Sequence, residues 1–174
     1  MNFDLEKPFD FANLGDVKEG RENLGEYMPV IVYRLMQYTI KETLEKEYGE
    51  EKADQIFYKA GFRAGEAFAL NTLDMDQDFN SFIAQLQKVM REMSIGLLRI
   101  EKADMEKMSF TLTVSEDLDC SGLPVIGVEV CVYDEGFIAG ILCAFTGKEF
   151  EVKEIDCWAS GDRTCRFTAQ VTEE

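Results

Sequence analysis

Five cysteines and no histidine delimit the chemistry open to this 174-residue chain. Cys157 and Cys165 flank the turn Ser160-Gly161-Asp162, and residues on both sides alternate apolar and polar, the period-two signature of a β-hairpin. A turn centred on Gly161 sets equidistant residues opposite one another, so Cys157 faces Cys165 with Cβ atoms about 4.5–5.5 Å apart. Two thiols so placed can pack as small apolar groups, bridge, or chelate a metal. An odd cysteine count, and an N-terminus that is acidic where a signal peptide is basic and then apolar, argue against a disulfide framework and for a cytoplasmic protein.

The missing histidine removes Ser-His-Asp and Cys-His catalysis, the zinc metalloprotease motif and histidine-ligated haem. Hydride or electron chemistry lacks its signatures too, since no GxGxxG follows a strand and no iron–sulfur cysteine run is present. The chain therefore reads as a binding protein rather than an independent enzyme. Its formal charge of −16 and pI near 4.4 argue against nucleic acid or an anionic membrane surface as partner. The longest apolar run is far short of the 18 or so residues that span a bilayer.

The elements that must position these groups follow from periodicity. Residues 1–22 read as an extended arm whose Phe3, Phe9 and Phe11 need a surface, on the body or on a second subunit; residues 23–174 read as one domain. Helical spacing runs from Pro29 to Tyr48 and from about Glu51 to Leu70, with Gly61 and Gly65 marking close helix–helix approach. Asp76 to Asp78 cap a third helix bearing Phe79, Phe82, Ile83, Leu86 and Met90, a broad wall suited to core or to an apolar ligand. Ile95–Lys102 and Ser109–Ser115 read as strands. Val132, Phe137, Ile141 and Phe145 define a helix of about four turns that ends at Gly147. Beyond it Phe150, Val152, Ile155 and Cys157 alternate inward. The fold class is α+β: N-terminal helices on a mostly antiparallel sheet of about four strands.

The helix that starts at Cys131, with its acidic and glycine residues, followed by Glu154-x-x-Cys157-Trp158-Ala-x-Gly161-Asp162-x-x-Cys165-Arg-Phe167, resembles the 4-vinyl reductase or hydrocarbon-binding domain family over about residues 14–171. That resemblance implies the fold of haem nitric-oxide sensors and TRAPP vesicle-tethering subunits. From the phenol- and xylene-responsive activators of the family it implies a closed structural zinc site on Cys131, Glu154, Cys157 and Cys165. Glu154 and Cys157 are an odd number of residues apart, so a shared metal requires a bulge between them. Cys120 is the substitute if Glu154 points away, and Cys143 belongs to the core.

The resemblance also implies a small apolar ligand, a homodimer and a separate output protein. Phe82, Leu86, Phe110, Leu112, Phe137 and Ile141 are the expected pocket walls. Phenol-sensing relatives hold the ligand hydroxyl with a histidine; lacking one, this chain is expected to take a hydrocarbon, an acyl chain or a flat apolar ring. Two other functions fit the resemblance, an accessory subunit of a vinyl-group (tetrapyrrole) reductase and a structural interaction protein holding an acyl chain.

Overall fold

The backbone is packed most closely where two helices meet through glycine. In the computed structural model, which describes residue 9 and residues 11–172, α3 (Glu50–Thr72) and α5 (Val132–Thr146) lie in backbone contact. A Cβ at Gly61 would overlap the carbonyl oxygen of Tyr133, and one at Gly65 that of Phe137. From the other helix, a Cβ at Gly136 would strike the Tyr58 carbonyl and one at Gly140 the Phe62 carbonyl. Gly61 and Gly65 thus act as the sequence spacing implies, and α5 answers with a matching pair. Helix α5 is apolar nearly all round, the pattern of a helix buried on several sides. It has α3 on one side and the sheet on the other.

Two further α-helices precede α3. Asp16 caps a single turn, α1 (Val17–Gly20), by accepting from the Glu19 amide at 2.9 Å, and a 3-10 turn occupies Phe11–Leu14. The segment expected to be extended is therefore partly helical, because Asp16 supplies the acceptor that the first turn needs. Phe9 is exposed and Phe11 half-buried, whereas Phe3 lies outside the described residues. Helix α2 (Val30–Tyr48) starts after Pro29 and stops at Gly49, whose φ of 83° suits glycine. Asp78 caps α4 (Phe79–Glu92), its carboxylate accepting from the amides of Asn80 and Ser81.

Four antiparallel strands, β1 (Leu97–Asp104), β2 (Ser109–Ser115), β3 (Phe150–Asp156) and β4 (Cys165–Val171), form one sheet in the order β1-β2-β4-β3. This is the α+β architecture expected, with helices on an antiparallel sheet of four strands. Helix α5 ends at Gly147, left-handed at φ 69°, and the reversed chain enters β3. One side-chain direction differs from expectation. The β3–β4 register slips between Glu154 and Asp156, so Phe150, Val152 and Glu154 point inward and Ile155 is exposed. The bulge turns Ile155 out, and Cys157 beyond it faces in again.

Candidate metal centre and apolar cavity

Four thiols from four separate stretches of chain converge. Cys131 lies at the N-cap of α5, Cys157 just past β3, Cys165 at the start of β4 and Cys120 on the loop after β2; all four are buried. Their Sγ atoms lie within 4.8 Å of one another. Cys131 Sγ is 3.8 Å from both Cys157 Sγ and Cys165 Sγ, and Cys120 Sγ is 3.0 Å from Cys165 Sγ. None is bonded to another. Zn–S bonds of about 2.3 Å in a tetrahedron place the sulfurs roughly 3.8 Å apart, so the cluster is close to the size that a tetrahedral ion requires.

The thiols lean on one another electrostatically. Hydrogen bonds from Cys120, Cys131 and Cys165 pull the Cys157 thiol far down, while the same contacts, that with Cys120 first, push Cys131 and Cys165 up. The cluster thus holds negative charge, centred on Cys157, and a cation can displace the remaining protons.

Glu154 lies beside this cluster in a different role. Its Oε2 accepts the Cys131 amide at 3.0 Å, and its Oε1 is buried without a hydrogen-bond partner. Burial, with the Cys157 thiol alongside, pushes its carboxyl up to about 8. Its own amide, freed by the bulge, donates to Glu135 Oε1 at 2.8 Å, an atom that Lys153 also reaches at 2.9 Å. Among the residues expected from the sequence, Cys131, Cys157 and Cys165 are brought together; the fourth thiol is that of Cys120, and Glu154 supports the Cys131 end of α5. Cys143 is half-buried on the body of α5, away from the cluster.

Carboxylates that the sequence reading did not single out surround the Cys120 loop. Asp117 Oδ1 accepts the amides of Asp119 and Cys120 at 2.8 and 3.0 Å, folding residues 117–120 into a turn. Tyr33 and Gln37 of α2 donate to the two Asp119 oxygens at 2.8 and 2.5 Å. Asp134 Oδ2 is buried without a hydrogen-bond partner. Burial, then the neighbouring acids, raises the carboxyls of Asp117 and Asp134. The signal available was Asp117-Leu-Asp119-Cys120, two turn-forming acids directly before a cysteine. Trp158 Nε1 donates to the Leu123 carbonyl at 3.0 Å, tying the hairpin turn to the same loop.

An apolar cavity lies between α4, β1, β2 and α5. About 30 Å³ of it is open to the centre of a water-sized sphere, and all its lining residues are apolar. Leu86, Phe110, Leu112, Phe137 and Ile141 line it, together with Phe79, Ile83, Met90 and others. Phe82 does not; it is fully buried and stacks on Phe145 with ring centroids 3.9 Å apart.

The vinyl-4-reductase domain family matches residues 110–171. That segment holds β2, α5 and the hairpin, the part whose motif resembled this family. Two uncharacterized proteins of Methanocaldococcus jannaschii are similar. MJ1642 is 24% identical over 152 residues, 87% of this chain and 83% of the relative; MJ0150 is 24% identical over 165 residues, 95% and 88%.

Solved structures share the fold at lower identity. The phenol-responsive sensory domain of the transcription activator PoxR, solved with phenol, has a TM-score of 0.64 at 16% identity, covering 85% of this chain and 78% of that one. A vinyl-4-reductase family protein from Methanocaldococcus jannaschii has a TM-score of 0.59 at 18% identity, covering 99% of each. A trafficking protein particle complex subunit 3 from Naegleria fowleri, covalently bound to palmitic acid, has 0.61 at 12% identity, covering 83% and 95%. An H-NOX protein from S. oneidensis has 0.52 at 14% identity, covering 79% and 74%. The chain therefore has the fold that the vinyl-4-reductase, TRAPP and H-NOX structures share.

Proposed function

We propose that this chain is a non-catalytic, cytoplasmic small-molecule-binding domain, sensory or carrier, that takes an apolar ligand and is stapled by a structural zinc ion. The observation that carries the reading is the apolar cavity enclosed by two helices and two strands. Interior voids with no polar lining stay dry and favour apolar guests. Binding a whole ligand requires the space to grow, and Met90, unbranched and flexible, can repack at small cost. Phe79, stacked on Phe110 at 5.1 Å between centroids, forms a flat wall.

The lining also favours one ligand class. It has no hydrogen-bonding side chain, so a phenol would leave its hydroxyl unpaired at a cost of about 1–3 kcal/mol. A hydrocarbon, an acyl chain or a flat apolar ring incurs no such cost. Zinc, bound by Cys120, Cys131, Cys157 and Cys165, would be four-coordinate and closed to water, which makes it a staple joining the loop, α5 and the hairpin. No helix among the described residues is long and apolar enough to cross a membrane. A signal, in this reading, leaves through pairing with a second copy or through a separate output protein.

The test is the denaturation midpoint of the metal-loaded protein against alkanes, fatty acids, fused apolar rings and phenols at matched concentrations. Stabilisation by an apolar class, lost when Leu112 or Ile141 is enlarged, supports the reading. Stabilisation by phenols alone, unchanged by those substitutions, contradicts it.

A further inference from the structure

We infer that α2 carries the surface on which a second copy of this chain docks, and that the Cys120 loop holds that surface in position. The inference rests on the proposed metal reading for its control, though not for the surface itself.

Helix α2 is 19 residues long and contains no buried residue. Leu24 and Tyr27 before it, and Ile31, Leu35 and Met36 within it, are 77, 73, 71, 66 and 55% exposed. With Val32 and Ile40 they present an apolar area on the order of 1,000 Å². That exceeds the roughly 300–600 Å² of the largest patch on a typical monomer and matches the roughly 800 Å² that each partner contributes to a stable complex. The molecule as a whole exposes 11390 Å², where a monomer of 19.8 kDa exposes roughly 8,600 Å².

Charge selects the occupant. Two copies of a chain carrying −16 repel one another across most of their surfaces. Between Val30 and Ile40 the one charged residue is Arg34, and its guanidinium is turned inward, donating to the carbonyls of Leu118 at 2.7 Å and Asp117 at 3.2 Å. The outward face is therefore free of net charge where the rest is acidic, and an apolar face meets an identical one across a two-fold axis without repulsion.

The inward face of the same helix is hung on the loop that carries Cys120. Tyr33 and Gln37 donate to the Asp119 carboxylate, Tyr38 donates to the Asp119 carbonyl at 3.1 Å, and Arg34 holds the two preceding carbonyls. The next residue is Cys120, whose sulfur lies in the thiol cluster. A metal bound there fixes the loop, the loop fixes α2, and α2 presents the docking face. Metal binding and association are then linked, each strengthening the other by the same factor.

Sedimentation velocity of the full metal-loaded chain at micromolar concentration tests this. A dimer is expected, and Ile31→Asp with Leu35→Asp gives a monomer of unchanged metal content and helix content. Tyr33→Phe with Gln37→Leu, and separately Cys120→Ser, weaken the dimer about tenfold or more, within the usual span of coupling between linked sites. The first of these pairs keeps its metal, so it reports on the loop even if the metal reading is wrong. A monomeric wild type overturns the inference, and one that instead co-sediments with neutral phosphatidylcholine vesicles assigns the face to a membrane. A dimer that survives Ile31→Asp with Leu35→Asp overturns the surface. A dimer indifferent to both loop variants overturns the control.

Discussion

The two ends of α5 are built on opposite principles. Its N-terminus delivers Cys131 into a cluster with more donors than a metal needs: four thiols, with the Glu154 and Asp134 carboxylates each keeping a buried oxygen unpartnered. Its middle delivers Phe137 and Ile141 to a cavity that offers no polar group at all. One helix thus places a site defined by charge a few turns from a site defined by the absence of it. Both depend on the same glycine contact with α3, which fixes where α5 lies.

Loss of the metal should have the largest effect, and only at the first end. Cys157→Ser, or exhaustive chelation, removes a ligand-linked stabilisation of about 4 kcal/mol for a site held at a thousand times its dissociation constant. Chemical denaturation measures it, and an unchanged midpoint would mean that the thiols merely pack. Gly136→Ala should damage both ends together. Its Cβ meets the Tyr58 backbone, which no rotamer change relieves, so about 3 kcal/mol is expected, with metal affinity and ligand stabilisation falling in parallel.

Ile83→Phe should act on the second end alone. It fills the cavity at a cost of about 1–3 kcal/mol and abolishes stabilisation by apolar ligands while metal content stays at the wild-type value. The smallest effect is expected from Asp78→Ala, which uncaps the wall helix α4. Hydrogen bonds from Ser81 and Asn80 hold the Asp78 carboxyl below its ordinary value. Its contribution is therefore present above the unfolded pKa of about 3.9 and lost as pH falls through the lower folded value, so mutant and wild-type stabilities should converge in acid.

The two ends also differed in how far they could be read from the residues. Apolar spacing located Leu86, Phe110, Leu112, Phe137 and Ile141 on their elements, because periods of 3.6 and 2 state which side faces in. Phe82 shows the limit: it shares the inward face of α4 but stacks on Phe145, a choice between neighbouring wells that spacing does not encode. At the thiol end, Cys157 and Cys165 were legible from the hairpin, as was the need for a bulge beside Glu154. Where the bulge lies was not, and Ile155 turned out in place of Glu154. The place of Cys120 depended on a loop folded by Asp117 and held by α2 more than 80 residues away in sequence, a contact with no periodic trace.

The metal content of the protein purified without added metal, measured by elemental analysis alongside thiol titration under native conditions, tests the central claim most directly. The account predicts about one zinc per chain, with Cys120, Cys131, Cys157 and Cys165 unreactive until chelator is added and Cys143 reacting independently. Less than about 0.2 metal ion per chain, with all five thiols reacting freely in the folded protein, would contradict it.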